Sequence, residues 1–93
     1  MAVYIVSRVD IADQERMKDY MAAAPATVEA HGGRYIVRSG NINVLEGDQT
    51  CDRVVVLEFP TREQAMGWYN SQDYRPLRDE RWAAAKASIM LVG

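Results

Sequence analysis

The chain has 93 residues, 48% hydrophobic and 26% charged, which is a length for one domain (residues 1–93) and a composition for a packed core rather than disorder. Its net charge is −2 at pH 7 and its 11 basic residues are scattered, so it lacks the basic stripe that nucleic acid or an anionic membrane requires. A chain this short buries only about 60–65% of the surface its unfolded form exposes, which leaves it marginal as a monomer.

Val3 to Val9 is β-branched and aromatic with both faces largely apolar, which predicts a central strand. The opening MAVYIVSRVD is broken by Arg8 and is too short for a signal or a membrane span. The single cysteine allows no internal disulfide, so the cytoplasm is the expected compartment. Cys51 lies beside Asp52 and near Asp48 with only Arg53 opposing, a poor setting for a reactive thiolate.

Asp10 to Asp13 reads as a turn, with either acid able to cap the next helix. From Gln14 the period changes: Met17, Tyr20, Met21, Ala24 and Val28 form one helical stripe. Pro25 removes a backbone donor and predicts a kink, and His31-Gly32-Gly33 ends the helix. Arg34 to Ser39 is the second strand, Gly40 permits a bend or bulge, and Asn41 to Leu45 alternates as an extension. Glu46 to Asp52 is the hairpin loop before a third strand, Arg53 to Phe59.

Pro60 stops that strand. Thr61 caps the following helix with Gln64 as its capping-box partner, and the helix carries Ala65, Met66, Trp68 and Tyr69. Asp73 starts a short further helix with Pro76 in its first turn, and Ser88 to Val92 is a last strand. The fold class is α+β: the order β-α-β-β-α-β is the ferredoxin-like split unit, one antiparallel sheet with helices on one face. Val3, Ile5, Val54, Val56, Ile89 and Leu91 alternate with Tyr4, Val6, Val55, Leu57 and Phe59, so both sheet faces read as apolar. The uncovered face would be a patch that soluble monomers rarely expose, and a two-fold homodimer through the sheet faces is expected to bury it.

The chain also resembles a known family. Tyr20, HGGRYIVRSG (His31–Gly40), LEG (Leu45–Gly47), VVVLEFP (Val54–Pro60), A-x-x-WY-x-S-x-x-Y (Ala65–Tyr74) and Arg81 are similar to the domain of unknown function 1330 family over nearly the whole length. Ser39, where glycine is common, and Gln72, where proline is common, depart from that pattern. The resemblance implies the dimeric α/β-barrel superfamily, whose members include cofactor-free monooxygenases, muconolactone isomerases and haem-binding chlorite dismutases.

Several residues are candidates for chemistry. Arg38 and Glu58 are each a lone charge in an apolar strand of one hairpin. They read either as an anion-binding arginine with a general acid/base, or as a structural ion pair. Tyr20, Trp68, Tyr69 and Tyr74 offer aromatic walls with donors for a small ligand, or ordinary core packing. Ser71 reads as a turn cap.

The only histidine, His31, sits at a helix C-terminus that favours its protonated form, a structural role with proton transfer as the alternative. Arg81 either folds over a pocket mouth or pairs with Asp79 or Glu80. The expected site therefore has Glu58, Arg38 and His31 as catalytic groups and Tyr20, Trp68, Tyr69, Tyr74 and Arg81 as binding groups, with no cofactor and no metal. A lone histidine excludes a histidine triad or a multi-histidine metal centre within one chain. Three functions compete: a small-molecule protein taking an anionic or aromatic ligand, in its catalytic form a cofactor-free acid/base enzyme of isomerase or monooxygenase type; a non-catalytic dimer that binds a partner; and haem ligation through His31.

Overall fold

Alternation along the strands decides which side of the sheet becomes the core. The computed structural model describes residues 2–93, in the order β1 (Val3–Ile11), α1 (Gln14–Ala30), β2 (Arg34–Ser39), β3 (Arg53–Phe59), α2 (Arg62–Tyr69), α3 (Arg75–Ala84) and β4 (Ala85–Val92). The strands form one antiparallel sheet in the order β2-β3-β1-β4. This is the ferredoxin-like fold, with α3 inserted before the last strand.

In β1, Val3, Ile5, Ser7 and Val9 are buried while Tyr4, Val6 and Arg8 are half-buried. Pairing extends the buried row to Phe59, Leu57, Val55 and Arg53 of β3, and to Leu91 and Ile89 of β4. The opposite row holds Tyr4, Val6, Val54, Val56, Met90 and Val92. The expected grouping of Val54 and Val56 with Val3 and Ile5 is therefore corrected, because register, which strand-by-strand alternation does not contain, sets the match.

The helices cover the first face. Val28, Ala65, Trp68 and Tyr74 pack on Val3, Ile5, Leu57 and Phe59, and Met17, Ala84 and Ala85 pack around Val9. Asp13 is the acid that caps α1, accepting from Arg16 N at 3.2 Å. Thr61 caps α2 through Gln64 N at 3.1 Å. Tyr74 rather than Asp73 occupies the cap position of α3, with Pro76 in its first turn. Two glycines close α1: Gly32 has φ +83°, and a Cβ on Gly33 would stand 2.5 Å from the Phe59 ring. Only glycine allows this helix end to lie against the sheet.

The structure differs from the sequence reading at three more places. β1 runs on to Ile11 and β4 begins at Ala85 instead of Ser88, because Ile11 and Ala85 pair. Asn41 to Leu45 is irregular rather than strand. The irregularity expected at Gly40 lies instead between Tyr35 and Val37 of β2. α1 is one helix through Pro25.

Candidate functional site

The β2 bulge turns a charge across the sheet. In a regular strand Arg34, Ile36 and Arg38 would share one face. One extra residue between Tyr35 and Val37 breaks that phase, so Tyr35 faces Leu57, Val37 faces Val56, and Arg38 faces Val55 on the helix side. The Arg38 guanidinium then lies over the Tyr35 ring, 5.2 Å from its centroid. Its Nη2 donates to the Met21 carbonyl at 2.9 Å. Met21 is four residues before Pro25, so its carbonyl lacks the usual helix donor and is free to accept.

This corrects the expected Arg38–Glu58 pair. Glu58 stays on the open face, registered with Arg34 and Tyr4, and accepts from Arg34 Nε at 2.7 Å. That hydrogen bond holds the Glu58 carboxyl below its ordinary range.

A cavity of about 40 Å³ lies between the sheet and the three helices. That is room for a few waters or one small polar group, and well under the ~150 Å³ that accepts a benzene ring. Tyr20 of α1, Arg38 of β2, Trp68 of α2, Tyr74 and Arg81 of α3 all line it, as do Ser7, Arg53 and Val55 from the sheet. Five of the eight sequence candidates therefore converge. Tyr69, Glu58 and His31 are not among the lining residues.

Tyr69 packs behind the site, its ring 6.0 Å from that of Tyr74 and covered by Arg78 at 5.1 Å. His31 closes α1 with its Nε2 3.7 Å from Asp73 Oδ2. Ser71 does cap, accepting from Tyr74 N at 3.2 Å. Arg53 was missed by the sequence reading. The signal was present: it keeps phase with Val55 and Leu57 on the inward face.

At the floor of the cavity the Tyr20 and Tyr74 hydroxyls are 2.6 Å apart. Trp68 packs on Tyr74 at 4.1 Å and spends its indole N–H on Thr27 Oγ1 at 3.0 Å. Burial, then the neighbouring Tyr74, pushes the Tyr20 phenol well above the usual tyrosine range, against a weaker pull from Arg81. Arg81 itself is 3% exposed. Burial works against its charge, but the Tyr74 and Tyr20 oxygens more than offset that and raise its proton affinity.

Arg81 Nε and Nη2 are buried with no hydrogen-bond partner among the described residues. Neither alternative expected for Arg81 holds: it does not cover a mouth, and Glu80 instead accepts from Arg16 Nε at 2.7 Å. The lining residues offer hydroxyls, guanidinium groups and the thioethers of Met17 and Met21 and, among the described residues, no carboxylate, imidazole or thiol. The cavity does not fit haem: its volume of about 40 Å³ is well under the ~150 Å³ that accepts even a benzene ring. His31 stands at the Asp73 contact and not in the cavity, and Tyr20 holds its proton.

A crystal structure of a protein of unknown function from Rhodopseudomonas palustris is similar over 98% of this chain and 80% of that one, at 17% identity and a TM-score of 0.83. SnoaB, a cofactor-independent oxygenase from Streptomyces nogalater, is similar over 99% of this chain and 91% of its own, at 13% identity and a TM-score of 0.73. A dimeric ferredoxin-like protein of unknown function from Jannaschia sp. is similar over 100% of this chain and 99% of its own, at 8% identity and a TM-score of 0.72. At these identities the likeness shows the fold alone. No curated protein matches the sequence. No helix among the described residues is long and apolar enough to cross a membrane. Residues 2–93 match the family described as Domain of unknown function (DUF1330), and the chain belongs to that family.

Proposed function

We propose that this chain binds a small, partly apolar anion in the cavity beneath α1, with one oxyanion of the ligand on the Arg81 guanidinium, and that it works as a cytoplasmic homodimer joined through the open sheet faces. Arg81 carries the reading: a cation 3% exposed with two unpartnered nitrogens among the described residues. Taking a charge out of water costs several kcal/mol unless an opposite charge and hydrogen bonds meet it. The linked Tyr20 and Tyr74 hydroxyls beside it supply an O–H donor for the same oxyanion, and the Trp68 face supplies an apolar wall.

A reaction at such a site is cofactor-free and electrostatic. Donors fixed around a developing enolate lower its energy without reorganising. Tyr20, holding its proton, acts as a donor rather than a base. The isomerase- or monooxygenase-like form of the proposal therefore rests on oxyanion stabilisation, with the proton passing to water or to a group of the ligand itself. The same shortage of a base favours the second reading, a binding protein without catalysis.

The test is an NMR titration of the wild-type chain with butyrate, read at the Tyr20, Trp68 and Tyr74 resonances. Saturable shifts are expected there, and Arg81→Met should abolish them while the folded dispersion of the spectrum is kept. If Arg81→Met, or Arg81→Gln should the first variant fail to fold, binds as well as wild type, the anion reading is wrong.

A further inference from the structure

Arg81 is not the only cation facing the cavity. Arg38 and Arg53 line it too, and the register makes them neighbours. Arg38 pairs with Val55 across β2 and β3, and Arg53 lies two residues along β3 on the same face. Such diagonal positions are about 7–8 Å apart. Arg53 Nε is buried with no hydrogen-bond partner among the described residues. Three groups that never lose their charge in water therefore converge on one small space whose lining carries no carboxylate among the described residues.

The nearby carboxylates are committed elsewhere. Glu58 holds Arg34 on the open face, and Glu80 holds Arg16 on the outside of the helices. Asp52 accepts from the backbone N–H of Ile11 at 2.8 Å. A single negative charge on Arg81 would leave Arg38 and Arg53 repelling each other across the face. A second negative group set between them would relieve that repulsion and give the Arg53 Nε its acceptor.

We infer that the ligand of this pocket is a short molecule with two separate anionic groups, a small dicarboxylate in class, with one carboxylate on the buried Arg81 and the other between Arg53 and Arg38. This rests on the anion-binding reading above and extends it. The cavity's volume of about 40 Å³ suits one enclosed head group. Arg38 is exposed and tied to the Met21 carbonyl, so the second group stands at the open end of the site. A bidentate or charge-assisted contact at each end also fixes the ligand's orientation, which a single anchor cannot do.

The experiment compares succinate with butyrate on the wild-type chain by calorimetry or NMR titration, since the two differ in little but the second carboxylate. Succinate should bind about ten- to a hundredfold more tightly. Arg53→Met and Arg38→Met should each weaken succinate more than butyrate, bringing the two affinities together. Inorganic phosphate, with its charge on one group, should bind more weakly than succinate.

Equal affinities for succinate and butyrate would overturn the two-group inference and leave the Arg81 anion site standing. So would phosphate binding more tightly than succinate. If the wild-type chain binds none of the three, both the inference and the reading beneath it are wrong.

Discussion

Pro25 and Arg38 are joined through a single carbonyl: the proline leaves Met21 O without its helical donor, and Arg38 Nη2 donates to it at 2.9 Å. A residue that weakens α1 thus anchors a cation at the rim of the cavity. Pro25→Ala should restore the helical bond and raise stability by on the order of 1–3 kcal/mol, reduced by the extra freedom of the unfolded chain. The restored N–H then competes with Arg38 for Met21 O, so succinate binding should weaken a few-fold. Urea unfolding and the same titration measure the two effects. Higher stability with unchanged affinity would show that the cavity's lining, not the carbonyl, holds Arg38 in place.

The Tyr20–Tyr74 hydroxyl pair, 2.6 Å long, makes a prediction about coupling. Tyr74 is wholly buried, so Tyr20→Phe leaves a buried hydroxyl short of a partner and should cost about 1–3 kcal/mol. Tyr74→Phe should cost a similar amount. The double variant should cost less than their sum, because no orphan hydroxyl remains. Strict additivity in urea unfolding would mean that each hydroxyl already has another partner.

The same pair sets an alkaline limit. Tyr20 keeps its proton well above its ordinary value of 10.0 because it is buried, and then because Tyr74 is beside it. The unfolded chain releases that proton near pH 10, whereas the folded chain does not. The contribution is therefore complete below pH 10 and is lost as pH rises through the folded value. Stability of the wild-type chain should fall more steeply above about pH 10 than that of Tyr20→Phe, as followed by thermal unfolding across that range.

Much of the fold was legible because it is local. Asp13, Thr61, the Gly32-Gly33 stop and the stripe from Met17 to Val28 act within a few residues of themselves, and each appears where the sequence puts it. The aromatic wall was legible for a related reason: Tyr20, Trp68 and Tyr74 each lie on the inward side of a recognisable element. Arg38 was assigned to the wrong partner because one inserted residue in β2 reverses its face, and no glycine marks the place. Arg53 was passed over although it keeps phase with Val55 and Leu57, because which face of β3 turns inward is set by its pairing with β1, a relationship between segments far apart in sequence.

The corrected position of Glu58 leads to a prediction opposite to that of a catalytic acid. Its carboxylate faces the uncovered side of the sheet and holds Arg34 at 2.7 Å. Glu58→Gln should leave butyrate and succinate binding unchanged. A pair this exposed on the Arg34 side is screened by solvent and contributes little to the monomer. The depressed Glu58 pKa means that what it does contribute is present above the unfolded carboxyl value and fades as pH falls through the folded one. Loss of ligand binding in Glu58→Gln would return this residue to the site.

The open sheet face bears on assembly. Tyr4, Val6, Val54 and Val56 share it with Met90 and Val92, which are 53% and 48% exposed. No helix covers this side, and the molecule is only 16 Å deep along its shortest axis. An apolar patch of several hundred square ångströms is more than a soluble monomer ordinarily leaves in water, and a two-fold axis would set the patch against its own copy. Light scattering at micromolar concentration should give twice the mass of the chain. Val56→Lys, which puts a charge at the centre of the patch, should give the single mass. Because Val56 and the cavity are on opposite faces of β3, a folded Val56→Lys monomer should still bind butyrate. A wild-type chain that scatters as a monomer would remove the dimer from the proposal and leave the Arg81 pocket intact. A Val56→Lys monomer that folds but no longer binds would mean that the second copy shapes the cavity through the sheet.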